Sequence, residues 1–326
     1  MRIHIHIGTH KTGSTSLQAF LAQNRGVLGN LGYLFPKTDK ADHANHSIAW
    51  QLREGDERGL RTVVAHAKSK GMSSVVLSSE DFELLRDLRR IRSLTAEFST
   101  SIIVYLRPQL SYIESEYNQV VKMLPSRFSG SVEDLVSQPQ YVYRFDYSRL
   151  IEPWSEAFGV ESIKVRPFEK RQLCGDLYTD FLLQIGMSAD AMGAMDHRVV
   201  KRNTSLDYEP LQLLLALNRF PLPDSLHAEL VHALQGVEGS RRHLLSRQSA
   251  CQLADRFAFS NQQVADKYLH RRGAPLFLEP SYGEADLFED PTIDRPSAVL
   301  KALSRLQDQQ PGLLQRALGA VASAAL

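Results

Sequence analysis

Two hydrophobic rhythms alternate along the first hundred residues. Ile3, Ile5 and Ile7 recur at every second position of Met1-Arg2-Ile3-His4-Ile5-His6-Ile7, the spacing of a strand. Residues 15–24 carry Leu17, Phe20 and Leu21 at helical spacing, and residues 8–13 between them read as a loop. A polar stretch at 37–46 is expected to be a surface loop, and 48–52 and 60–70 read as helices. Two unbroken apolar runs follow, at 73–77 and 101–106. Such runs suit strands buried on both faces, in a parallel sheet covered by helices. Short strands separated by helices imply right-handed crossovers.

Further on, 110–123 and 147–158 read as helices, the second ended by Gly159. Residues 162–166 make a fourth strand stopped by Pro167, and 174–185 a helix with Gly186 as its cap. Beyond Asp190 the strand signals stop. Residues 206–218, 224–234, 247–255 and 261–268 read as helices, and irregular chain at 273–296 leads to a last amphipathic helix at 297–306. The expected architecture is one α/β domain over residues 1–290 and a helical tail over 291–326.

Composition narrows the function. The balance of 38 basic and 37 acidic residues gives a net charge of +1, so no global field gathers nucleic acid or an anionic membrane. Any bound anion must be held by a local site. The two cysteines, Cys174 and Cys251, exclude a disulfide framework or a cysteine-based zinc site and suit a reducing, cytoplasmic setting. No run approaches the ~20 apolar residues needed to span a bilayer. The chain's start lacks the continuous apolar core of a signal peptide, so neither targeting nor spanning segment is expected. Residues 311–326, rich in Ala and Leu, predict a docked or frayed terminal helix.

The strongest chemical signal is Gly8-Thr9-His10-Lys11-Thr12-Gly13-Ser14-Thr15, set between the first strand and the first helix. Backbone N–H groups in such a loop wrap an anion, and the helix N-terminus adds partial positive charge. Gly8 and Gly13 allow tight turning, while Ser14 and Thr15 add hydroxyls. The frame is like that of a P-loop, except that the lysine, Lys11, lies inside the loop instead of after its second glycine. The plainer alternative is a strand–helix turn capped by Ser or Thr.

His6-Ile7-Gly8-Thr9-His10-Lys11-Thr12-Gly13-Ser14-Thr15-Ser16-Leu17-Gln18 resembles the 5′-phosphosulfate loop of PAPS-dependent sulfotransferases, in the form found in bacterial-type carbohydrate sulfotransferases. Tyr105-Leu106-Arg107-Pro108, with Ser115 eight residues beyond Arg107, resembles that family's 3′-phosphate signature. Val76-Leu77-Ser78-Ser79-Glu80, Glu116-Tyr117-Asn118-Gln119, Val165-Arg166-Pro167-Phe168-Glu169 and Arg202-Asn203-Thr204-Ser205 are similar to further phrases of the group. The resemblance runs over about residues 2–270 and implies a sulfotransferase fold, a P-loop-like parallel sheet flanked by helices with a helical C-terminal part. It also implies PAPS as donor and PAP as product. Lys11, Thr12, Gly13, Ser14, Thr15, Ser16, Arg107, Ser115 and Arg202 would then contact the nucleotide. A P-loop kinase usually needs a carboxylate at a neighbouring strand's end to hold Mg²⁺. Arg107 ends the strand at 102–106, which suits an extra phosphate and no metal.

Sulfuryl transfer needs charge neutralised on the oxygen that leaves sulfur, and Lys11 is the candidate for it. An acceptor hydroxyl needs a base. Glu80 follows the strand at 73–77 and so shares the loop's edge of a parallel sheet. Ser78-Ser79-Glu80-Asp81 equally fits a helix start. His43 and His46 could share a helix face, as base, substrate contacts or solvated side chains, without a third metal ligand. His10 could touch phosphate or substrate. A basic loop at Lys201-Arg202-Asn203, or its rival Arg271-Arg272-Gly273, would cover the 3′-phosphate. Ser16 stands where the steroid- and phenol-type enzymes place Trp, which argues against that group. The expected function is transfer to a hydroxyl of a small molecule or, from the resemblance, a saccharide or glycan. A P-loop kinase-like enzyme and a non-catalytic nucleotide-binding protein are the alternatives.

Overall fold

The strand β1 (Arg2–His6) lies at the centre of a five-stranded sheet with β2 (Tyr33–Leu34), β3 (Ser74–Ser78), β4 (Ser99–Leu106) and β5 (Ile163–Pro167). The order is β2-β3-β1-β4-β5, and every neighbouring pair is parallel. This computed structural model describes residues 1–38, 43–198, 205–240, 242–279 and 294–324. The expected parallel α/β sheet flanked by helices is therefore present. The period-two pattern of β1 has an unusual cause. Its alternate residues, His4 and His6, are buried as fully as its isoleucines. Each histidine spends one ring nitrogen on a neighbouring strand's hydroxyl: His4 Nδ1 on Ser101 Oγ at 2.7 Å and His6 Nδ1 on Ser78 Oγ at 2.8 Å. In a parallel sheet covered on both faces, polar residues enter only with such partners.

The helix α1 (Ser14–Gln23) follows β1, and its Leu17, Phe20 and Leu21 join a core with Tyr105, Phe181, Leu182 and Ile185. Other elements depart from the apolar rhythm. The strand Tyr33–Leu34 is too short to leave a pattern. The last strand includes Pro167, and the next N–H, that of Phe168, still reaches Leu106 O at 2.6 Å. The helix expected from 174 begins at Leu177, because Asp176 caps Thr179 N–H at 2.8 Å and buried Asp180 takes Cys174 N–H at 2.8 Å. The helices expected at 247–255 and 261–268 are one helix, Arg247–Tyr268. No Gly or Pro interrupts that stretch, and Phe257 and Ser260 between the two expected helices are buried.

The chain divides into two interleaved units. The first comprises Met1–Pro108, Tyr143–Arg202 and Phe257–Glu279 and contains the whole sheet. The second comprises Gln109–Val142, Asn203–Arg256 and Pro280–Leu326, and its described elements are helical. Within it the helix Tyr208–Leu217, buried almost throughout, packs on the helix Arg295–Gln309, and a further helix, Pro311–Ala324, follows. Asn118 clasps the backbone of Leu206 with two hydrogen bonds, of 2.8 and 3.1 Å. The boundary expected between 290 and 291 lies outside the described residues. Among the described residues, no helix is long and apolar enough to cross a membrane.

Candidate functional site

At the carboxyl end of β1 the chain runs along β4 before it turns. Ile7 N–H donates to Ile103 O at 3.0 Å, Thr9 N–H to Tyr105 O at 2.9 Å, and Tyr105 N–H to Gly8 O at 2.8 Å. Gly8 has φ 104°, and a Cβ there would lie 3.2 Å from the Glu80 backbone, so only glycine fits. Gly13 has φ 80°, and a Cβ there would meet Leu177 at 2.8 Å. Between them Lys11 itself adopts a left-handed φ of 64°. A non-glycine residue in that region is uncommon and recurs at functional loops. Thr12 is tied down by its own loop, its hydroxyl donating to Thr9 O at 2.6 Å.

The N-cap of α1 is Gly13, and no side chain caps the helix. Ser14 is buried and Thr15 exposed, both inside the first turn. The turn thus presents backbone N–H groups at the loop's rim, as anion-binding helix starts do. Ser16 bonds the hydroxyl of Tyr178, whose ring stacks on Phe20 at 4.6 Å.

Arg107 leaves the end of β4 and closes on the same loop. Its guanidinium donates to the carbonyl of Lys11 at 3.1 Å. Its own carbonyl accepts from the hydroxyl of Tyr147, a fully buried residue. Lys11 and Arg107, 96 residues apart in the chain, are therefore brought together. Behind them Asp180, fully buried, accepts from Tyr105 Oη at 2.7 Å and from Arg166 Nε at 3.0 Å. This ties β4 and β5 to the helix Leu177–Gln184, whose Leu177 abuts Gly13.

The residues after β3 form an acidic turn against the loop's other side. Ser79 Oγ accepts Asp81 N–H at 3.1 Å and starts the short 3₁₀ helix Glu80–Leu84. Glu80 receives Gln18 Nε2 at 2.7 Å. Burial pushes the Glu80 carboxyl up, but the charges of His10 and His46 and the Gln18 bond outweigh it and hold the group below its ordinary range. Asp81 accepts the Trp50 indole N–H at 2.7 Å and pairs with His46 Nδ1 at 3.2 Å. His46 also lies 2.7 Å from Ser79 Oγ. Glu83, 1% exposed, holds His10 Nδ1 at 2.7 Å and Arg144 Nε at 2.8 Å. The turn and the loop thus interlock through side chains, whereas the loop and β4 interlock through backbone.

Lys11, Thr12, Gly13, Ser14, Arg107, Glu80, His10 and His46 are therefore grouped at one edge of the first unit. His43 is exposed on a bend, and among the described residues no bond joins it to the group. Ser115 lies on the helix Gln109–Lys122, assigned to the second unit. Arg202 lies outside the described residues. Its rival Arg271 reaches Gln172 Oε1 at 2.5 Å, in the first unit. Among the described residues, no cluster of three or more metal-ligating side chains occurs. The sequence reading overlooks Gln18, Asp81, Glu83 and Arg144. The acids at 80, 81 and 83 are conspicuous in the sequence as a cluster, but their partners come from distant segments.

No family model matches the chain. A protein of Archaeoglobus fulgidus, described only as an uncharacterized protein, is 28% identical over 147 residues, spanning 44% of this chain and 38% of the relative. The chain thus matches well under half of that relative's length. A sulfotransferase crystal structure from Alicyclobacillus acidocaldarius aligns with 70% of this chain and 95% of its own, at 17% identity and a TM-score of 0.42.

Proposed function

We propose that the protein is a PAPS-dependent sulfotransferase acting on a hydroxyl acceptor, a saccharide. The observation that carries this reading is the meeting of the Arg107 guanidinium with the Lys11 carbonyl at 3.1 Å. It joins the Arg107 guanidinium to the backbone of the lysine-bearing loop, beside a helix start whose cap residue, Gly13, contributes no side chain. That donor set fits a nucleotide with phosphate at both ends of its ribose. The first-turn N–H groups, Ser14 and Thr15 would hold the 5′ end and Arg107 the 3′-phosphate, for which the resemblance also names Ser115. The donor supplies an activated sulfuryl group.

Lys11 neutralises charge where the leaving oxygen develops it. Glu80, kept as a carboxylate and fixed by Gln18, accepts the proton of the acceptor hydroxyl. His46 borders the same space, with His43 before the helix that carries it, as contacts for the acceptor, and His10, inside the loop, contacts either phosphate or acceptor. The reaction needs no metal in this reading, and the protein works in the cytoplasm.

One observation favours a kinase-like reading. Glu80 and Asp81 follow β3, which neighbours β1, so carboxylates do lie beside the loop. A screen of saccharide and non-saccharide hydroxyl acceptors with ³⁵S-labelled PAPS in EDTA separates the two. Labelled product is expected in EDTA. ATP turnover that requires Mg²⁺, with no sulfated product, would replace the first reading by the second.

A further inference from the structure

Glu83 and His10 form a pairing for which the mechanism above has no use. The Glu83 side chain is 1% exposed, so its carboxylate has given up almost all hydration. A charge so placed is costly unless it is paired and hydrogen-bonded. Two donors converge on it, His10 Nδ1 at 2.7 Å and the His10 backbone N–H at 3.3 Å, and the Arg144 guanidinium pairs with it as an ion, its Nε at 2.8 Å. The other ring nitrogen, His10 Nε2, faces Asp81 Oδ1 at 3.8 Å, beyond hydrogen-bond reach but within strong Coulomb range.

A neutral imidazole carries a lone pair on one of its nitrogens, and here that lone pair would point at a carboxylate oxygen. The doubly protonated ring avoids this. Glu83, Asp81 and Glu80 face His10 with negative charge; Arg144 opposes them, and His46 shares Asp81. Burial works against the charged ring, yet the Glu83 pairing more than offsets it, and His10 is raised above its ordinary value.

We propose that Glu83 is a positioning residue that holds His10 as an imidazolium by its Nδ1, leaving Nε2–H to serve beside Lys11 as a second, titratable cation of the loop. The ligand it grips is the 5′-phosphate end of the donor. That identity rests on the sulfotransferase reading, whereas the ionic state of His10 does not.

The test has two arms on the full-length protein. In the first, histidine labelled with ¹³C at Cε1 is titrated by NMR in the wild type, Glu83→Gln and His10→Gln. The last variant assigns the His10 signal among 11 histidines. His10 is expected to titrate above the ordinary 6.5 and to fall by about one pH unit or more in Glu83→Gln, which keeps the hydrogen bond and removes the charge. A midpoint at or below 6.5, or one that Glu83→Gln does not move, overturns the assignment. In the second arm, PAP affinity is measured by calorimetry from pH 7 to 9, where the phosphates are already ionised. Affinity should fall by about tenfold in the wild type and stay level in His10→Gln, as expected for loss of a charge-assisted hydrogen bond. Level affinity in the wild type overturns the donor role. Absence of PAP binding at every pH overturns that role together with the sulfotransferase reading, and the NMR arm alone then decides the Glu83–His10 pairing.

Discussion

The strand β1 and the loop that leaves it place three histidines, His4, His6 and His10, within seven residues, in opposite electrostatic settings. In the strand, burial pushes both His4 and His6 down to about 4, and the hydroxyls of Ser101 and Ser78 suit a neutral ring. In the loop, His10 is only half-buried, and Glu83 at 2.7 Å drives it the other way. Residue type therefore does not fix protonation; burial and the charge of the partner do. The strand uses histidine to complete a core. In the proposed function the loop uses it, with Lys11 and Arg107, to hold an anionic ligand.

If that division holds, changes in the loop will alter chemistry and changes in the strand will alter stability. The largest effect is expected from Lys11→Ala, which should lower turnover by about 10²–10³-fold while retaining PAP binding and the melting temperature. Rapid-quench assays with labelled PAPS measure it, and near-normal turnover would remove Lys11 from catalysis. Glu80→Gln should cost about a hundredfold in turnover and abolish the acid limb of the pH–rate profile. An unchanged profile would argue against Glu80 as the base.

The strand makes the contrasting prediction. The folded values of His4 and His6 lie below the 6.5 of the unfolded chain, so as pH falls the unfolded state takes up protons first. Their stabilising contribution is full above pH 6.5, declines between 6.5 and 4, and is lost below 4. Roughly 3 kcal/mol should be lost per histidine. Urea unfolding at pH 7 and pH 4.5 reads this loss, and His4→Gln combined with His6→Gln should flatten the dependence. Smaller again, Arg107→Ala should weaken PAP binding by about 10–100-fold and leave adenosine 5′-monophosphate binding nearly unchanged, as calorimetry would report. Ser115→Ala, which removes one neutral hydrogen bond, should weaken PAP by only about fivefold.

The two regions also differ in how much the sequence discloses. Strand β1, α1 and the buried runs of β3 and β4 are readable because period and apolar content act locally. The loop is readable because Gly8 and Gly13 suit backbone geometry that strains other residues. The side-chain network around it is not readable. Glu83 meets His10 across 73 residues, and nothing in either neighbourhood announces the other. The pairing of β1 with both β3 and β4 creates it. The same limit explains the continuous helix Arg247–Tyr268. In its middle Ser260 is buried by distant partners, accepting from Ser148 N–H at 2.9 Å and donating to Asp146 at 2.7 Å.

The central claim is that the loop bearing Lys11, through its backbone and hydroxyls, and the Arg107 side chain together bind a doubly phosphorylated adenosine without a divalent ion. Titration calorimetry of the wild type with PAP and with adenosine 5′-monophosphate in EDTA tests it most directly. Binding of PAP at least tenfold tighter than the monophosphate, with the difference erased by Arg107→Ala, is the predicted result. Equal affinities, or PAP binding that appears only when Mg²⁺ is added, would contradict it.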